Sequence, residues 1–328
     1  NNTELLLLKA YLAMQNKESP LAAEQFQKVI SLEPENLVTF NGRKARLGLA
    51  RLEIINKNLD QAKDLLAPLF KQNANDPELN YIGGLLSFEQ ADFDKAEERL
   101  LKVLKVAPNH AKSQLLFGSI SYAQKDYEQA AYYISQYLQL EPENIGARKL
   151  LGKTYILMGQ HEDAQATLKS GVQADESDAE LLALVGLSQL QGGDIASGIT
   201  DLEKAVDAAP ENKAFRGELV KAYISAGETE NAISQINKIL AEGGNRNQAE
   251  VLKVSAYIQA KQYHQAINVA LDILKRSPED PVAMSLVGNV FAVSGDRAEA
   301  RKYFNKALNI EPENIQATML LARLEEIE

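Results

Sequence analysis

Small, aliphatic and charged positions follow one another along this chain in an order that returns every 34 residues. With position 32 of each unit set at a recurrent proline, Pro108, Pro142, Pro210, Pro278 and Pro312 share one slot at spacings of 34 or 68, and Pro34 joins them after an offset of six residues. Twelve residues earlier, at position 20, stand Ala22, Ala62, Ala96, Ala130, Ala164, Gly198, Ala232, Ala266 and Ala300. Twelve earlier again, at position 8, come Ala10, Ala50, Gly84, Gly118, Gly152, Gly186, Val220, Val254 and Gly288. Two small residues so placed are what a close crossing of two helices requires, because bulk there would push the backbones apart. Position 24 carries Phe26, Leu66, Leu100, Ile134, Leu168, Leu202, Ile236 and Phe304, the buried stripe of a second helix. Each unit is therefore predicted to be a pair of antiparallel helices.

Turn chemistry sets the boundaries. Gly159, Gly193, Gly227 and Gly295 share position 15, where a left-handed residue ends the first helix at low cost. Asp92, Asp126, Asp194 and Asp296 follow as acceptors for the free amides of the second helix. The proline stops that helix, so the three copies of Glu-Pro-Glu-Asn, at 33–36, 141–144 and 311–314, are turns between units. The chain divides into nine units, 3–36, 37–76, 77–110, 111–144, 145–178, 179–212, 213–246, 247–280 and 281–314, with one further helix at 315–328 as a polar cap. Six extra residues in the second unit predict almost two additional helical turns. Glu176 and Gly244 replace the proline in two units. The second substitution makes 242–247 a candidate hinge, or simply a longer loop in a rigid stack.

Composition narrows the function. Apolar residues make up 45% of the 328, yet only 6% are aromatic and tryptophan is absent, which suits thin layers of helix rather than one large globule. A net charge of −10 opposes the phosphate-neutralising surface that nucleic acid needs. Without cysteine there are no disulfides, thiolate metal sites or thiol nucleophiles. The longest aliphatic run, residues 5–8, is far short of the roughly 20 residues of a membrane span, so no transmembrane segment is expected. The chain begins Asn-Asn rather than with Met, as a fragment or processed product would.

The small residues at 8 and 20, the large one at 24 and the proline at 32 make the chain resemble the tetratricopeptide-repeat superfamily over essentially its whole length. The resemblance implies an all-α, right-handed superhelical solenoid that binds protein or peptide partners. Within it, 125–164 and 296–325 are similar to the PrsT family, encoded with the exosortase/PEP-CTERM protein-sorting and exopolysaccharide system of Gram-negative bacteria. That narrower likeness implies a scaffold of the periplasm or cell envelope; a cytoplasmic adaptor or co-chaperone-like regulator stays open.

No catalytic constellation emerges, and neither a metal nor a cofactor is expected. His110, His161 and His264 lie far apart and in or beside turns, without ligand spacing, and read as solvated turn residues. In such an array the first helix of each unit lines the concave surface, here with Tyr11, Arg51, Tyr81, Phe88, Tyr122, Lys149, Lys153, Lys221 and Asn289. Aromatic and cationic side chains together suit an extended peptide or an acidic polysaccharide. Stacking is expected to bring Lys149, Lys153 and Lys221 into one column. Leu7 and Tyr11 stand where the family's clamp for a C-terminal carboxylate would need Lys and Asn, so that clamp is not expected. Five tyrosines between Tyr122 and Tyr137 read as packing residues or as a sticky patch. Arg43, Lys44, Arg46 and Arg51 form a basic run that reads as helix solvation or as a phosphate or uronate site.

Overall fold

The computed structural model describes residues 2–34, 38–174 and 177–326. Part of the first Glu-Pro-Glu-Asn turn, at 35–37, and Glu176 lie outside them, as do both terminal residues of the predicted cap. Among the described residues the chain forms nineteen α-helices and no strand. It divides into two compact units, Asn1–Met158 and Gly159–Glu328.

Unit 1 holds α1 (Asn2–Gln15) and α2 (Ser19–Ser31), α3 (Phe40–Ile55) and α4 (Leu59–Gln72), α5 (Pro77–Glu89) and α6 (Phe93–Val106), α7 (Ala111–Ala123) and α8 (Tyr127–Leu140), then α9 (Ile145–Leu157). Unit 2 opens with α10 (His161–Ala174) and continues with α11 (Ala179–Gln191) and α12 (Ile195–Ala208), α13 (Lys213–Ala226) and α14 (Thr229–Ala241). It closes with α15 (Arg246–Gln259) and α16 (Tyr263–Arg276), α17 (Pro281–Ser294) and α18 (Arg297–Ile310), and α19 (Ile315–Glu326).

The small positions do what their size predicted. Ala22, Ala62, Ala96, Ala130, Ala232, Ala266 and Ala300 are all fully buried. A Cβ on Gly118 would lie 2.6 Å from Ile134, and one on Gly186 2.9 Å from the Gly198 carbonyl, so these helix pairs meet at near backbone contact. Phe26, Leu100, Ile134, Leu202, Ile236 and Phe304 fill the stripe beside each crossing with no exposed surface. Asp92, Asp126, Asp194 and Asp296 each accept from the amide three residues on, capping the second helices.

Position 15 is left-handed in all nine units, not only where it is glycine: Lys17, Lys57, Ala91, Lys125 and Lys261 join Gly159, Gly193, Gly227 and Gly295 at positive φ. The second repeat, 37–76, departs from expectation. α3 begins three residues ahead of the repeat register, at Phe40 rather than Arg43, so the insertion adds less than one helical turn instead of two. The sequence also hid a role for position 4. There Asn80, Gln114 and Arg216 each donate to the carbonyl at position 32 of the unit before, Ala74, Pro108 and Pro210, at 2.8, 2.9 and 2.7 Å, and Arg148 makes the same bond to Pro142. These bonds tie the residue just past each second helix's C-cap to the first helix that follows.

The 242–247 turn lacks that tie, because position 4 of its following unit is the acceptor Glu250. It is held from the other side. Arg216, 4% exposed, pairs with the Glu242 carboxylate, and Lys213 Nζ donates to the Glu242 carbonyl at 3.0 Å. Gly243 adopts a left-handed conformation at φ 68°.

Candidate binding surface

In unit 1 the first helices bring Tyr11 of α1, Arg51 of α3 and Tyr81 of α5 to one groove of about 170 Å³, lined also by Glu78, His110 and Lys112. Sequence spacing had put the two tyrosines and the arginine on a shared face; it had not put the histidine there. His110 is the N-cap of α7 and accepts from the Ser113 amide, with its Nδ1 2.8 Å from Ser113 Oγ. Its ring meets that of Tyr81 edge-on, centroids 5.2 Å apart. It is a half-buried cap, which corrects its reading as a solvated turn residue; burial and the neighbouring Lys112 push its pKa down.

The basic run resolves by partner. Arg43 binds Asp76 at 2.7 Å and Glu78 at 3.2 Å, and Arg46 pairs with the nearly buried carboxylate of Glu33. Lys44 lies over the Phe40 ring at 4.5 Å. Arg51 alone of the four has neither a carboxylate partner nor a ring beneath it among the described residues, although it is half-buried in the groove. Three of the four cations of the run are therefore engaged within the chain. Burial raises the Tyr11 pKa, with Glu78 adding to it and Arg43 opposing, and burial raises that of Tyr81 against Arg51. Both hydroxyls stay protonated near neutrality and can donate to an incoming acceptor.

The other predicted residues sit elsewhere. Phe88 packs on Phe93 at 6.0 Å and Tyr122 on Tyr127 at 5.9 Å, each joining a first helix to its own second helix. Tyr137 is buried, the tilted Tyr133 ring packs on Phe117 with centroids 4.4 Å apart, and Tyr132 is exposed, so the tyrosine cluster is mainly packing. Lys149 and Lys153 are half-buried on α9 in unit 1. Lys221 lies in unit 2, paired with Glu218 at 2.7 Å, and Asn289 is half-buried on α17. Among the described residues no group of three or more His, Asp or Glu could hold a metal ion, and no helix is long and apolar enough to cross a membrane.

Tetratricopeptide-repeat family profiles match residues 121–187, 189–256 and 257–324, and a second such profile matches 83–145. The chain belongs to the tetratricopeptide-repeat family. A tetratricopeptide-repeat protein from Parabacteroides merdae superposes with a TM-score of 0.59 at 16% identity, over 76% of this chain and 98% of the other. MamA from Desulfovibrio magneticus gives 0.49 at 20% identity, over 51% and 94%. YrrB, described as having an unusual peptide-binding site, gives 0.37 at 15% identity, over 67% and 96%. The Parabacteroides merdae superposition supports the tetratricopeptide fold, and at 16% identity it supports no shared ligand. A search of curated protein sequences returned no significant match.

Proposed function

We propose that this protein is a non-catalytic interaction scaffold, and that the first-helix groove of unit 1 binds an extended peptide segment of a partner through an acidic group. The observation that carries this reading is Arg51. A guanidinium half-withdrawn from water without a carboxylate is costly unless a ligand completes it, and here two tyrosine rings and a histidine flank it. Its attraction for anions runs against a net charge of −10, so it is a local feature rather than a general one. The resemblance of 125–164 and 296–325 to the PrsT family supports the reading that such partners belong to a bacterial exopolysaccharide and protein-sorting apparatus of the envelope.

Direct binding of an acidic polysaccharide is the second reading, since a uronate presents the same carboxylate and a sugar face suits Tyr11 and Tyr81. Fluorescence anisotropy with short labelled polyglutamate and with labelled oligogalacturonate separates the two. Peptide binding that Arg51→Ala abolishes and Lys102→Ala leaves intact supports the scaffold reading; preference for the uronate supports the second. Equal losses from both variants would show that net charge alone is sensed. Salt should weaken the interaction, since exposed charges are screened over about 10 Å at 0.1 M.

A further inference from the structure

We propose that unit 2 carries a separate pocket, between α13 and α15, that takes one aromatic or long aliphatic side chain of a partner peptide where it adjoins an acidic residue. It goes beyond the Arg51 groove, with which it shares no residue. The cavity measures about 340 Å³, inside the range of about 300–1,000 Å³ typical of ligand clefts. Ile239, Ala249 and Leu252 supply its apolar lining, and Lys213 and Lys221 stand at its rim.

Two glycines open it, for opposite reasons. Position 5 is Leu7, Leu47, Tyr81 and Leu115 in the first four units, but Gly217 on α13. A Cβ there would meet nothing within 4 Å. Glycine inside a helix is destabilising relative to alanine, and here no neighbour demands it, so packing does not account for the residue. Gly244 is demanded: a Cβ on it would lie 2.5 Å from Ile239 Cγ2 and 2.7 Å from the Ile239 carbonyl. Its bare Cα lets Ile239 stand against the cavity. One glycine leaves the space empty and the other admits its apolar wall.

The rim decides the neighbour of the occupant. Lys213 gives one hydrogen to a backbone carbonyl and keeps its charge, and Lys221 is matched by Glu218. Among the residues that line the cavity, the two cations Lys213 and Lys221 stand against the one carboxylate of Glu218, which leaves one positive charge in excess on a protein that is otherwise acidic. An apolar side chain followed or preceded by Asp or Glu satisfies both features.

The test uses the full chain, isotope-labelled, titrated with the capped peptide Gly-Asp-Phe-Asp-Gly and followed by amide chemical shifts. Shifts at Gly217, Gly244 and Ala249 are expected, with several-fold weaker titration when Phe is replaced by Ala or both Asp by Lys. Gly217→Leu fills the cavity and should abolish the shifts; Gly217→Ala, which keeps the fold and most of the space, should weaken them. Arg51→Ala should leave this titration unchanged, which separates the pocket from the unit 1 groove. Equal titration by all three peptides, absence of shifts with any of them, or unaltered binding in Gly217→Leu when its melting shows it folded, would overturn the proposal.

Discussion

The carboxylate of Glu33 occupies the space that a side chain at position 42 would need: a Cβ on Gly42 would lie 1.6 Å from Glu33 Oε1. From there Glu33 accepts from the Thr39 amide at 2.7 Å and from the Thr39 hydroxyl at 3.1 Å, and it pairs with Arg46. Thr39 in turn caps α3 by accepting from the Gly42 amide at 3.0 Å. Gly42→Ala should therefore destabilise unit 1 by about 2 kcal/mol, the scale of hydrogen bonds to a charged group, although alanine is the better helix former. Gly217→Ala, with open space at its Cβ, should stabilise by up to about 1 kcal/mol. Denaturant melts of the two variants should move in opposite directions.

Lys125 ends α7 in a left-handed conformation at φ 66°. A side chain costs roughly 1–2 kcal/mol there, part of which glycine returns as extra freedom in the unfolded chain. Lys125→Gly is expected to raise stability by about 0.5–1 kcal/mol. The same change at the exposed, helical Lys102 should lower it, and a melt that puts both on the same side of the native protein would refute the strain argument.

Ala130 is fully buried beside Gly118, where α7 and α8 cross. Ala130→Leu should cost about 1–3 kcal/mol by overpacking. An unaltered unfolding midpoint with the helix pair intact would contradict the assigned register.

His110 carries a depressed pKa, so the native state favours its neutral form. Its contribution to stability is fully present above the unfolded value of 6.5 and is lost as pH falls through that value towards the lower folded one. His110→Asn keeps an acceptor for the Ser113 amide and removes the titration. It should lose less stability than the native protein on acidification across that window. Binding of an acidic peptide at Arg51 should raise the His110 pKa, readable from its ring proton shifts.

Residues 242–247 replace the proline turn with Gly243 and Gly244, and Glu242 is tied by both Arg216 and Lys213. Hinge motion requires those ties to break. Glu242→Ala combined with Lys213→Ala, which removes both ties, is expected to speed amide exchange at Gly243 and Gly244 several-fold relative to the turns at Pro142 and Pro210. If exchange in the native protein already exceeds that at the proline turns, the segment bends without their release.

The helix pairs, their crossings and the caps of the second helices were legible in the sequence because they rest on neighbours three, four or twelve residues apart, and the repeat displays the same local solution nine times. The alignment of first helices likewise put Tyr11, Arg51 and Tyr81 on one face. The insertion before α3 escaped, since helix length there depends on where Thr39 finds a capping partner, not on the number of inserted residues. Tertiary structure alone decided which charge is available. Arg43 is neutralised by Asp76, 33 residues away, and Arg46 by Glu33, whereas Arg51, five residues further along α3, forms no ion pair among the described residues. Only packing distinguishes Gly42, whose missing Cβ another side chain occupies, from Gly217, whose missing Cβ leaves a cavity. Periodicity records which residues face a partner helix; it does not record what the partner brings to meet them, because those contacts join residues from separate turns of the stack.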